Sequence, residues 1–188
     1  MLPYIIFGGA LTIIWLLKRS HSSQRAVAID TESVGGGING SVNMLARVSI
    51  VDTRRVIYNE YVKPHMRVTD YRTPWSGVRP EDLARAKKTF DEVRRDVAWI
   101  LHDYILVGHD LQFDLKALDL THPAKDIRDT SLYEPFRYTT TKPSLKYLAK
   151  KYLNRDIQVG NHCSITDARA AMDLYRLVEN EWEKEMAF

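Results

Sequence analysis

AVAIDTESVGGGINGSVNMLARVSIVDTRRVIYNEYVK, residues 26–63, decides the fold. Residues 26–30 form a short apolar run ending in an acid, and VGGGINGS (34–41) is a glycine-rich turn. Residues 42–52 and 55–63 are two further apolar, β-branched runs joined by a short polar connection. Three such runs with short links predict an antiparallel meander. Downstream, HMRVTDYRTPWSGVRP (65–80) reads as a loop broken by Pro74, Gly77 and Pro80. PEDLARA (80–86) starts a short helix with proline at its first position, and Phe90, Val93, Val97, Ile100 and Leu101 recur at helical spacing. ILVGH (105–109) predicts a buried strand leading into a helix over 110–118, and IRDT (127–130) an edge strand. PSLKYLAKKYL (143–153) and residues 164–185 predict the last two helices. The whole is an α/β domain with a mixed sheet flanked by helices.

The 188 residues suffice for one globular domain with a sizeable core. With 45% hydrophobic and 27% charged residues, the composition excludes a disordered or low-complexity class. A net charge of +3 permits a polyanionic partner without requiring one. The single cysteine, Cys163, excludes an intrachain disulfide framework and a Cys-rich zinc site, and reads as a small apolar residue. The first 17 residues, MLPYIIFGGALTIIWLL, carry no charged side chain and are followed by Lys18 and Arg19. As a helix this run would be about 25 Å long, slightly short of a hydrocarbon core of about 30 Å. Residues 1–19 are therefore expected to be a retained membrane anchor, 20–25 a linker, and 26–184 the folded domain, held on the cytosolic side by the basic flank.

Asp30 and Glu32 share a strand face, because side chains two apart point the same way, while Thr31 points oppositely, toward the core. Alone, the pair would mark only where a strand leaves the core. Asp114 falls on the helix stripe that should face the sheet, between Leu111 and Leu118. Asp110, one turn earlier, competes for that role, although its place directly after Gly-His suits helix initiation. Asp167 follows Ser164 in a capping-box pattern, yet it also leads the inward stripe Ala170, Ala171, Leu174 and Val178. His162 stands in the loop before this helix. Four carboxylates brought together would repel and raise one another's pKa values unless cations neutralised them. All-oxygen ligands select hard divalent ions, Mg²⁺ or Mn²⁺, and two such ions can hold both oxygens of an in-line displacement at phosphorus. His162 can take the proton of the attacking water. The chemistry expected is phosphodiester hydrolysis.

Three motifs, AIDTESVG (28–35), VGHDLQFDLKAL (107–118) and HCSITDARAAMDLY (162–175), resemble those of the DEDDh 3'-to-5' exonucleases of the RNase H-like fold, in order and spacing. The stretches between them resemble the Rex-type RNA exonuclease branch, from about Arg25 to Glu183. The resemblance implies a five-stranded sheet, with the meander extended by two parallel strands. It implies that Asp30, Glu32, Asp114 and Asp167 bind two metal ions, Asp30 bridging them, and that His162 is the general base. It implies release of nucleoside 5'-monophosphates from single-stranded RNA by a monomeric catalytic domain. The branch usually has Cys and Met where this chain has Thr31 and Ser33. Ser33 stands where the terminal nucleotide is expected to pack, so single-stranded DNA remains the alternative substrate. Relatives often carry a basic, nucleus-directed extension in place of the apolar start, which makes nucleus or nucleolus the alternative location. Arg72, with Tyr71 and Trp75 nearby, and Lys142 with Ser144 at a helix start, are the expected phosphate contacts.

Overall fold

The computed structural model describes residues 25–137 and 141–187. Strands β1 (Ala26–Gly36), β2 (Val42–Val51) and β3 (Val56–Tyr61) form the expected meander, with Ala28 opposite Val51 and Val48 opposite Glu60. After β4 (Val68–Asp70) come three helices, α1 (Thr73–Ser76), α2 (Pro80–Ala84) and α3 (Phe90–Leu101). β5 (Ile105–Gly108), α4 (Leu111–Ala117), β6 (Ile127–Asp129), α5 (Leu145–Leu153) and α6 (Ser164–Met186) complete the order. β5 lies parallel beside β1 and β6 parallel beside β5, so the main sheet runs β3-β2-β1-β5-β6.

The sheet has six strands, one more than expected. β4 lies within the stretch read as loop, and it pairs with the far end of β1 through Gly35–Asp70 and Gly36–Val68. Three residues are too few for alternation to announce a strand. β1 itself continues past its acids to Gly36, which shortens the glycine turn that the sequence predicts.

Alternation along β1 divides the core. Val27 and Ile29 pack with Val48 and Ile50 of β2 against Val93, Val97 and Leu101 of α3 and Leu111 of α4. Ala28 faces the other way, packing with Val51 and Val107 against Leu148 and Ala149 of α5 and Ala170, Ala171, Leu174 and Tyr175 of α6. Each fully buried valine, leucine or isoleucine among them contributes about 1.5–3 kcal/mol. α3 starts at a capping box in which the Thr89 amide donates to Glu92 Oε2 at 2.8 Å and the Glu92 amide to Thr89 Oγ1 at 3.4 Å.

β6 is tied to α6 by a partly buried ion pair. Arg128 Nε and Nη2 donate to Glu183 Oε1 and Oε2 at 2.7 and 2.6 Å, and the Tyr175 hydroxyl donates to Glu183 Oε1 at 3.0 Å. Arg128 is only 3% exposed. Glu183→Ala leaves the guanidinium only its bonds to the Lys125 and Ile127 carbonyls and is expected to cost about 1.5–3 kcal/mol, measured by denaturant titration. A change below about 1 kcal/mol would mean that water takes over the glutamate's place.

Residues 1–19 lie outside the described residues. The membrane-anchored location expected from them is corrected: no helix among the described residues is long and apolar enough to cross a membrane, and the relatives reported below are RNA exonucleases by name.

Candidate active site

β5 stays paired with β1 only as far as Val107, opposite Ala28. Gly108 then turns the chain away; a Cβ there would stand 2.3 Å from Leu111 Cδ2, so the absent side chain is what lets α4 start so close. Between Ala28 and the β4 pairing at Gly35 the edge of β1 facing β5 is therefore open, and Asp114 fills it. Its Oδ1 accepts both the Thr31 amide and the Thr31 hydroxyl, each at 2.8 Å. Thr31 is partly exposed, not sunk in the core as its strand parity predicts. The gap in the sheet exposes it, and the buried carboxylate on α4 uses it.

The remaining acids approach from the α6 side. Glu32 is buried on β1, and Asp167, 3% exposed, sits in the first turn of α6. The expected capping box at Ser164 does not form. Cys163 occupies the cap position without a side-chain cap bond, and Ser164 is fully buried with its hydroxyl 2.8 Å from that of Ser49 on β2. Asp167 is thus free of capping duty. Its Oδ2 accepts from Gln158 Nε2 at 3.0 Å, while its Oδ1 is buried with no hydrogen-bond partner. An orphaned carboxylate oxygen at this depth calls for a cation or a proton.

Charge crowding agrees. Burial first, then Asp114, Glu32 and Asp167, push the Asp30 carboxyl well above the usual range. Burial and Asp167 raise Glu32 to about 8, with Arg47 opposing. Burial also raises Asp114, against the two Thr31 hydrogen bonds, and raises Asp167 against Gln158 and His162. The side chains stop short of sharing one point: among the described residues no three His, Cys, Asp or Glu groups are close enough to hold an ion together. Thr31 and Gln158 hold two of the carboxylates by one oxygen each, and like charges keep them apart. The donor set is nevertheless all oxygen, buried and short of positive charge, which fits hard divalent cations.

His162 is positioned by its backbone. Nδ1 lies 3.9 Å from Asp167 Oδ2, and the carbonyl rests on Gly77, where a Cβ would stand 2.2 Å from His162 O and φ is +63°. Gly77→Ala is expected to displace this loop and lower nucleotide release about 10- to 100-fold while the protein remains folded. A wild-type rate in a nuclease assay would show that the contact does not position His162.

Asp110, the competitor for Asp114, is engaged elsewhere. Asp110 adopts a left-handed backbone at the start of α4, makes no side-chain cap bond, and its Oδ1 accepts from Ser131 Oγ at 3.2 Å and Lys142 Nζ at 2.5 Å. The capping falls to Asp129, which the sequence reading missed. Its Oδ1 accepts from the Asp110 and Ser131 amides and its Oδ2 from the Leu111 amide, at 2.9, 2.9 and 3.0 Å. The one available signal was an acid ending an edge strand.

The expected phosphate contacts have internal partners. Arg72 donates to Asn43 Oδ1 and, at 2.9 Å, to the Gly40 carbonyl, and lies 3.7 Å from Asp70 Oδ2. Its guanidinium braces the β1–β2 turn against β4. Lys142 is paired with Asp110, and Ser144 Oγ caps α5 by accepting the Tyr147 amide at 3.2 Å. Ser33 lies half-buried beside a register shift in the β1–β2 ladder, directly after Glu32.

The family model RNase_T, described as Exonuclease, matches residues 27–175. The chain belongs to this exonuclease family. The family typically uses divalent metals. RNA exonuclease 4 of Homo sapiens is 49% identical over 162 residues, covering 85% of this chain and 38% of the relative. Interferon-stimulated 20 kDa exonuclease-like 2 of Homo sapiens is 46% identical over 172 residues, covering 87% of this chain and 48% of the relative. This exonuclease chain thus spans less than half the length of either. Among solved structures, the Saccharomyces cerevisiae Pan2 pseudoubiquitin hydrolase-RNA exonuclease module in complex with AAGGAA RNA superposes with a TM-score of 0.74 at 31% identity. It covers 88% of this chain and 31% of that one.

Proposed function

We propose that this chain is a metal-dependent 3'-to-5' exoribonuclease, with its catalytic domain at residues 26–184, releasing nucleoside 5'-monophosphates from single-stranded RNA. The observation that carries the reading is the unneutralised acidic cluster around the gap in the sheet, with His162 beside it. Asp30, Glu32, Asp114 and Asp167 are the residues that would hold Mg²⁺ or Mn²⁺. Such ions supply charge neutralisation at the phosphate and an acidified water. His162 turns Nδ1 toward Asp167, which leaves Nε2 to take the proton of the attacking water. Gln158, through Asp167 Oδ2, steadies that pair. Ser33, next after Glu32 on β1, is the side chain proposed to meet the terminal sugar, since a register shift re-aims side chains.

RNA is favoured because the relatives carry RNA exonuclease names and the superposed Pan2 module is described with bound RNA. The test incubates the full chain with 5'-labelled single-stranded RNA and DNA of the same sequence, with Mg²⁺ or Mn²⁺. Stepwise shortening of RNA from the 3' end with nucleoside 5'-monophosphate release is expected, at least about 10-fold faster than for DNA. Equal or faster loss of DNA overturns the RNA assignment, and internal cleavage overturns the exonuclease assignment.

A further inference from the structure

The open edge of β1 gives Thr31 two donors aimed at one atom. In a fully paired strand its amide would be spent on the neighbouring backbone, but β5 has already turned away at Gly108. The amide and the hydroxyl both reach Asp114 Oδ1 at 2.8 Å across 83 residues of sequence. Two donors on one oxygen fix the carboxyl plane, and with it the direction of Oδ2. Asp114 enters from the α4 side of the sheet, whereas Glu32 and Asp167 belong to the α6 side. Its reach into the gap therefore depends on what holds it there.

We infer that Thr31 is a positioning residue for the cation site: its hydroxyl locks Asp114 Oδ1 so that the carboxylate is held facing Asp30 before any ion arrives. This rests on the reading of Asp114 as a metal ligand. The hydroxyl's work is to spare the site the reorganisation of a mobile side chain, and partners of this kind change metal affinity by roughly 10- to 100-fold.

The variant that isolates the hydroxyl is Thr31→Val, which keeps the β-branched shape and the backbone donor and removes Oγ1 alone. Thr31→Ser restores an equivalent donor. Mn²⁺ binding to the full chain is measured by titration calorimetry, without substrate, for both variants and for Asp114→Asn. The Mn²⁺ dissociation constant is expected to rise about 10-fold for Thr31→Val, to stay within about 3-fold of wild type for Thr31→Ser, and to rise more than about 100-fold for Asp114→Asn. Melting in chelator separates a merely structural role, which would lower the melting temperature of Thr31→Val and leave its Mn²⁺ affinity alone. Wild-type affinity in Thr31→Val, with affinity lost in Asp114→Asn, overturns the inference and leaves the site standing. Wild-type affinity in Asp114→Asn overturns the reading of the site and the inference with it.

Discussion

Replacing Asp30 by Asn is expected to lower nucleotide release by about 10³-fold or more while making the cation-free protein more stable. The first effect follows from its place between the other acids: Asp114, Glu32 and Asp167 all act on it. Removing one member of a charge-stabilising set costs about 10² to 10³ in rate, and more where the group belongs to a unit that fails together. The second effect follows from the same neighbours. In the absence of cations the Asp30 carboxyl is pushed up by burial and repulsion, so its ionised form opposes folding, and a neutral amide of the same shape relieves that. Rate measurement with saturating Mn²⁺ and thermal melting in chelator read the two effects separately. A variant within 10-fold of the wild-type rate would sink the proposed site. Adding Asp167→Asn is expected to cost little further activity, because the set acts as one.

The second large effect is a pH-dependent stability that divalent cations abolish. Glu32 is held at about 8 in the folded protein against an ordinary value of 4.5, and Asp30, Asp114 and Asp167 are raised in the same direction. Below about pH 4 both folded and unfolded chains are protonated at these groups and nothing is lost. As pH rises toward 8 the unfolded chain gives up protons that the folded chain retains, so stability falls, and the full penalty stands above about 8. At about 1.4 kcal/mol per pKa unit, Glu32 alone takes a few kcal/mol from the fold between pH 5 and 8.5. The gap in melting temperature between Mg²⁺-loaded and chelated protein is therefore expected to widen over that interval, by roughly 5–10 °C. A gap that stays constant with pH would show that the carboxylates do not share a cation.

Much of this was legible from residue order because it depends on period. The meander and the inward stripe of α6 are repeats of two or of three to four residues, and burial enforces them along whole elements, whereas the parallel pairing of β5 and β6 follows from the family resemblance. The preference for Asp114 over Asp110 rests on the same period. What parity could not convey is where a sheet stops pairing. Thr31 obeys its strand by pointing away from Asp30, yet it meets Asp114 because β5 ends early, a fact carried by Gly108 and Leu111 and not by β1. The capping by Asp129 and the internal partners of Arg72 are not legible for a related reason. Their partners, two amides of α4 and the turn between β1 and β2, are remote in sequence, and a charged side chain on paper has no address. Ser164 misled in the opposite sense, since its local capping pattern lost to a buried hydroxyl contact with Ser49 across the sheet.

The break in the sheet beside Gly108 bears on how the molecule comes into being. Thr31 and Asp114 meet across 83 residues, and Asp167 arrives on the last helix to join the core. No single helix or strand holds more than two of the four acids, so no local folding event can assemble them. During synthesis, a chain still lacking α6 would hold Asp30, Glu32 and Asp114 without Asp167. A cluster so divided comes together only once the core has closed around it.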